Sequence, residues 1–233
     1  MATRLKEVDA VMVGMGWTGS ILARELTKAG LNVVGLERGP DIKPAEDFAM
    51  PHIRDELRYV QRLDQIQDPA METLSFRHRP SEEALPMRRM GSFLPGNGVG
   101  GAANHWGGQH WRYLPSDHQT RSNIVNRYGA KALPEDMTVQ DWAMTYDELE
   151  PYYDKFEKLC GVSGKAGNLR GQKVDGGNPF EGARSSEYPT PPVKMTESAL
   201  MYEKACRELG YHPFPQPAST VSQIEEHTSE LQS

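Results

Sequence analysis

The stretch VDAVMVGMGWTGSILARELTKAGLNVVGLERG, Val8 to Gly39, decides the fold. Val8 to Val13 is a short apolar run and reads as a buried strand. GMGWTG, Gly14 to Gly19, follows it and opens a helix over Ser20 to Ala29. That helix carries Ile21, Leu22, Leu26 and Ala29 on one face and Gly30 as its stop. Leu31 to Leu36 is a second strand, ending in Glu37, Arg38 and Gly39. Strand, glycine turn, helix and strand make a parallel βαβ unit, so the fold class is α/β.

Each part of GMGWTG has a physical task in a dinucleotide-binding turn. Gly14 permits the tight turn, Gly16 lets backbone approach a pyrophosphate, and Gly19 lets helix and strand pack closely. Trp17 and Thr18 lie between them, where N–H groups and the positive helix end face the phosphates. Glu37, 23 positions after Gly14, can accept hydrogen bonds from an adenosine ribose. Its carboxylate disfavours NADP, although Arg38 stands next to it. NAD and FAD share this adenosine site, so both stay open at this point. A tight turn with no ligand is the competing reading.

Outside this unit the chain is acidic and loop-rich. Its 233 residues carry a net charge of −6, with 22 glycines and 17 prolines in no repeating period. Scattered negative charge makes it a poor polyanion binder and excludes nucleic acid as the expected partner. No apolar run approaches the length of a membrane span, and the N-terminus lacks the pattern of a secretory signal. Cys160 and Cys206 are the only cysteines, so no disulfide framework or cysteine-rich metal site is expected. His52, His78, His118 and His212 have no metal-ligand spacing.

Further helices are expected at Asp55–Leu63, Tyr146–Leu159 and Thr196–Leu209. In the second, Leu149, Tyr152, Phe156 and Leu159 share a face, and Thr145 and Glu148 have capping-box spacing. Pro151 leaves two options there: the helix bends, or it begins at Pro151. In the third, Thr196 is the cap, Gly210 the stop, and Cys206 joins Ala199, Tyr202 and Leu209 as a core face. Cys160 closes the second helix as a structural residue. Residues 161–192 read as loop, and 218–233 as a disordered tail.

A second glycine loop, GNGVGGAANHWGGQHW, runs from Gly96 to Trp111. Together with LERG after the second strand it resembles the glucose-methanol-choline (GMC) family of FAD oxidoreductases. The stretches GVGGAANHWGGQHWRYLPSD, YDELEPYYDKFEKLCGVSGKAGNLRGQ and ELGYHPFPQP look closest to one branch. That branch is the flavoprotein subunits of bacterial gluconate, sorbitol and related dehydrogenases. The resemblance runs from about residue 5 to about residue 217. It departs from the general family at Ala102 and Ala103, which stand where small hydroxyl residues are usual.

The resemblance implies a Rossmann-like FAD-binding domain over 1–115 and the start of a substrate or cap region over 116–217. It implies that Asn97, Gly98, Val99, Gly100, Gly101 and Asn104 wrap the flavin and its pyrophosphate. It gives the His105–Trp106 pair a sharp role, because a histidine in a similar pair of related oxidases is bonded to the flavin 8α methyl. Two readings of His105 stay open: that covalent bond, or a hydrogen bond near a noncovalent flavin. His110 lies past the matching position and reads as support or surface.

At the level of function, the resemblance implies hydride transfer to FAD from a sugar acid, polyol or sugar alcohol. It implies a helper small subunit and a multihaem cytochrome c, at the periplasmic face of a bacterial inner membrane; without such partners the expected place is the cytoplasm. The family's catalytic pair, a histidine with a second histidine or an asparagine, lies near its C-terminus, and no matching residues are found here. An N-terminal portion, inactive alone, is therefore the expectation, against an NAD-dependent dehydrogenase fragment or an inactive dinucleotide-binding remnant.

Overall fold

The computed structural model describes residues 6–41, 43, 74–86, 95–104 and 106–220. It divides into two compact units, Met1–Gly107 and Gly108–Ser233. The expected helix at Asp55–Leu63 and the tail from 221 onward lie outside the described residues.

In the first unit, β1 (Ala10–Val13) leads through α1 (Trp17–Lys28) to β2 (Val33–Leu36). The two strands pair in parallel, with Ala10 opposite Val33 and Val13 opposite Leu36. The βαβ unit is thus present. Its strands are shorter than expected, because Asp9 and Asn32 are used to tie the strand starts together: the Asp9 side chain accepts the Asn32 N–H at 2.8 Å. Helix α1 begins at Trp17 rather than Ser20, with Gly16 as its N-cap. Its end is closed by Gly30 at a positive φ of 87°. Val11 and Val13 are open to solvent, and Leu36 beside Val13 is 47% exposed. A parallel pair is normally covered on both faces. A small hairpin, β3 (Ser75–Phe76) with β4 (Leu85–Pro86), completes the strands described in this unit.

The second unit contains α2 (Pro115–His118), α3 (Thr120–Tyr128), α4 (Tyr146–Cys160) and α5 (Glu197–Glu208). It also contains a hairpin of β5 (Asn168–Leu169) and β6 (Gln172–Lys173), inside the stretch expected to be loop. Arg170 and Gly171 turn this hairpin with φ of 53° and 84°, the two left-handed residues that a type I′ turn requires.

Helix α4 has the capping box read from its sequence: Thr145 Oγ1 accepts the Glu148 N–H, and Glu148 accepts the Thr145 N–H at 2.8 Å. The helix starts at Tyr146 and continues through Pro151. Its buried face differs from expectation. Tyr146, Glu150 and Glu157 point inward, whereas Tyr152 is 67% exposed and Leu159 also faces solvent.

The reason is a buried ionic cluster. Arg112 makes a two-pronged contact with Glu157, Nε to Oε1 and Nη2 to Oε2, each 2.8 Å. Its Nη1 reaches Glu150 at 3.0 Å and the Tyr146 hydroxyl at 3.2 Å. Arg184, 1% exposed, bonds the same Glu157 carboxylate and lies 3.8 Å from the Tyr188 ring centre. Glu181 faces Arg184 and accepts the N–H groups of Gly167 and Asn168. Among the described residues the buried apolar side chains are Tyr146, Val162, Ala166 and Tyr188, all beside this cluster or in its unit. Charge pairing organises this core to a degree that apolar patterning cannot predict.

Two other expectations are corrected. Helix α5 keeps its Thr196 cap but buries no residue. Tyr202 and Leu209 are exposed, so Cys206 does not belong to a core face. Ala218 and Ser219, the start of the expected disordered tail, are tied down instead. Ser163 and Ala218 exchange backbone hydrogen bonds of 2.7 and 3.0 Å, and the Ser219 N–H donates to Gly108 at 2.8 Å.

Candidate functional site

The candidate site is built on the turn between β1 and α1. Gly14 adopts a φ of 89° and donates its N–H to Leu36 at 2.7 Å, fixing the turn to the end of β2. A Cβ at Gly19 would lie 2.0 Å from the Gly14 carbonyl oxygen. Only hydrogen fits between helix and turn at that point. The first N–H groups of α1, on Trp17, Thr18 and Gly19, have no acceptor within the helix. The cap residue Gly16 supplies no side-chain hydrogen bond to them. Those donors and the positive helix end are what a phosphate needs.

Glu37 anchors the other side. Its Oε2 accepts the Met15 N–H at 2.8 Å, and Oε1 accepts the Arg38 and Gly39 N–H groups at 2.9 Å each. The N–H groups of Gly39, then Met15 and Arg38, hold its carboxyl below the ordinary carboxylate value. A carboxylate offers about four acceptor positions, and among the described residues three are filled, leaving one on Oε2. Arg38 itself is exposed.

The second glycine loop folds onto this turn within the same unit. Gly100 donates to the Met15 carbonyl at 2.8 Å, and Val99 donates to the Pro40 carbonyl at 3.0 Å. A Cβ at Gly101 would come within 3.2 Å of the Gly16 Cα. Gly98 is buried and Asn97 lies beside it against Gly39. The side chain of Asn104 is turned inward on its own loop, with Nδ2 donating to the Val99 carbonyl at 2.8 Å. The Trp17 and Trp106 rings meet edge to face, 5.9 Å between centres and 90° between planes. His105 lies outside the described residues.

The structure therefore gathers Gly14, Gly16, Trp17, Thr18, Gly19 and Glu37 with Asn97–Gly101, Asn104 and Trp106. Sequence reasoning missed two of the joints: the Met15 N–H as the partner of Glu37, and the contact of Trp17 with Trp106. Neither has a spacing signature, because each pairs residues far apart in the chain. The residues present fit a dinucleotide phosphate group: backbone donors at a helix end, a cradle that a Cβ would fill, and an acid at the strand terminus. His110, expected as support or surface, is buried in the second unit, with Nε2 2.5 Å from Ser219 Oγ. Burial lowers its tendency to hold a proton.

No family model matches the chain. It is 46% identical over 225 residues to a gluconate 2-dehydrogenase flavoprotein of Pantoea cypripedii, covering 95% of this chain and 37% of that protein. It is 28% identical over 227 residues to a 2-methyl-1,2-propanediol dehydrogenase of Mycolicibacterium austroafricanum, covering 97% and 36%. It is 26% identical over 241 residues to a fructose dehydrogenase large subunit of Gluconobacter japonicus, covering 95% and 38%. The chain thus spans little more than a third of the length of these curated relatives. Among the described residues, no helix is long and apolar enough to cross a membrane. Over nearly its whole length the chain is similar to these flavoprotein and dehydrogenase relatives, matching little more than a third of their length.

Proposed function

We propose that the chain carries the FAD-binding part of a dehydrogenase that oxidises a CH–OH group of a sugar acid, polyol or sugar alcohol. The observation that supports this best is Glu37, held by the Met15 N–H at the mouth of the Gly14–Gly19 turn. It stands in a chain 46% identical to a gluconate 2-dehydrogenase flavoprotein. When bound, FAD supplies the acceptor for the hydride that leaves the alcohol carbon.

In this reading the domain over 1–115 is Rossmann-like, and 116–217 begins the substrate region. The N–H groups of Trp17, Thr18 and Gly19 bind the pyrophosphate through charge-assisted hydrogen bonds. The free position on Glu37 Oε2 takes a ribose hydroxyl. Asn97, Gly98, Val99, Gly100 and Gly101 line the other side of the cofactor. Asn104 stiffens that loop through Val99. His105 is the covalent anchor of the flavin, and Trp106 restricts the loop beside it. No residue of this chain is assigned the role of base for the alcohol proton.

The relatives are named as a flavoprotein and a large subunit, which implies partner subunits. We extend this to a helper small subunit and a multihaem cytochrome c, with the assembly at the periplasmic face of a bacterial inner membrane. Flavin content of the purified chain tests the cofactor reading. Gly16→Val places a branched side chain toward Gly101, where even a Cβ alone would sit 4.0 Å from the Gly101 Cα. Loss of bound flavin is expected; unchanged flavin content would sink the assignment.

A further inference from the structure

The ionic core of the second unit does not balance. Arg112 and Arg184 bring two positive charges to three carboxyls, Glu150, Glu157 and Glu181. Arginine keeps its charge in a folded protein, so the surplus can be removed only at a carboxyl. Both guanidinium groups bond Glu157, and Arg112 also bonds Glu150 at 3.0 Å. Glu181 is served least. Its side chain is 6% exposed, and its Oε2 lies 3.9 Å from Arg184 Nη1, too far for a hydrogen bond. Its Oε1 accepts the Gly167 and Asn168 N–H groups. A neutral carboxyl keeps that oxygen as an acceptor and carries its proton on the other. A small cavity lies against Glu181. Its walls include buried Arg112 and Tyr188, and Trp111 and Lys165, which reach the surface.

We infer that Glu181 is the proton-exchange site of this core: its Oε2, rather than Glu150 or Glu157, takes a proton from water in the cavity and returns it there. Burial, opposed by the Gly167 N–H, Arg184, the Asn168 N–H and Arg112, pushes this carboxyl above the ordinary carboxylate value. Burial also raises Glu150, but the Ser185 N–H and Arg112 bring it below that value. Lys165 stands at the cavity but is paired with Glu187 at 3.5 Å. Asp154 is bonded to Lys158 and Ser186, and burial disfavours the charged form of His110, which faces Glu157. With Glu181 protonated the core holds two charges of each sign. Without that proton a surplus negative charge is buried against the turn at 166–168. The folded state therefore keeps a proton that the unfolded chain has lost, between the ordinary and the raised value. Stability present below the ordinary value falls as pH rises through that window.

The test is urea unfolding of the 233-residue chain and of its Glu181→Gln variant across the carboxylate and neutral pH ranges. Glutamine keeps an oxygen for the Gly167 and Asn168 N–H groups and carries no charge, as the protonated carboxyl does. Below the ordinary carboxylate range the two proteins should be alike. As pH rises through the window the wild type should fall behind, by up to about tenfold in the folding equilibrium per pH unit. His110 is common to both proteins and cancels in the difference. The second measurement is the carbon-13 resonance of the Glu181 carboxyl in the wild type, assigned through the Gly167 and Asn168 amide protons. It should titrate at higher pH than the resonances of exposed glutamates. If Glu181→Gln fails to fold, this resonance decides alone. A wild type that gains on the variant as pH rises overturns the inference, as does an offset between them that is the same at every pH. So does a Glu181 resonance that titrates with the exposed glutamates or below them.

Discussion

Glu37 accepts the backbone N–H of Met15 at 2.8 Å, across 22 positions of sequence. One carboxylate thereby locks the end of β2 to the turn that follows β1. In Glu37→Gln one of the two oxygens becomes an NH2 group, which faces an N–H that needs an acceptor. Loss of about 1–2 kcal/mol of stability is expected, read by urea unfolding. Dinucleotide affinity should fall with it.

The same carboxylate predicts a pH dependence. Its folded-state value lies below the ordinary one because of the Gly39, Met15 and Arg38 N–H groups. Its contribution to stability is then complete above the ordinary carboxylate range and is lost as pH falls through the lowered folded value. The difference in melting temperature between wild type and Glu37→Gln should shrink on acidification over that range. A difference that grew as pH fell would contradict the clamp.

Gly16 and Gly19 should respond oppositely to a methyl group. A Cβ at Gly19 meets the Gly14 oxygen at 2.0 Å, and backbone cannot yield as a side chain would. Gly19→Ala is expected to cost about 1–3 kcal/mol and to distort the turn. A Cβ at Gly16 has its nearest neighbour at 4.0 Å, and its φ of −76° suits any residue. Gly16→Ala should therefore fold normally. Circular dichroism and thermal unfolding of the two variants side by side make the comparison.

Glu157 serves two guanidinium groups, of Arg112 and Arg184, with 3% of its surface exposed. In Glu157→Gln both cations stay buried with half their compensation gone. Destabilisation of about 3–5 kcal/mol is expected, the usual cost of breaking a buried pair from one side. It should appear as unfolding of the second unit at lower urea concentration. Lys158→Ala on the exposed pair with Asp154 is the control, expected to stay within about 1 kcal/mol of wild type.

His105 is expected to hold flavin through acid denaturation. Mass measurement of its peptide, from the chain as purified with flavin, should show the added flavin mass. A peptide of unmodified mass, with all flavin released, would leave His105 a noncovalent contact.

The βαβ unit was legible in the sequence because its signals are local: an apolar run, a glycine turn, a helix with a stop and an acid at a strand end. Thr145 and Glu148 were legible for the same reason, three residues apart. The inward face of α4 was not. Apolar periodicity pointed to Leu149, Tyr152 and Leu159, while the buried positions are Glu150 and Glu157. A carboxylate faces inward only if a cation meets it there, and Arg112 and Arg184 come from segments 38 and 27 positions or more away. Cys206 misled in the reverse direction: α5 has an apolar pattern, but nothing among the described residues covers it. At the candidate site the residue types and spacing were readable, whereas the seating of Gly101 on Gly16 depends on a loop some 85 positions downstream.

The pairing of Ser163 with Ala218 decides where the chain can be shortened. Ser163 is fully buried, and its N–H and its hydroxyl both donate to the Ala218 carbonyl. A chain ending at Pro217 would strand both donors and remove the Ser219 hydroxyl from His110. Each stranded group costs about 1–3 kcal/mol. The shortest version that keeps these bonds ends at Ser219.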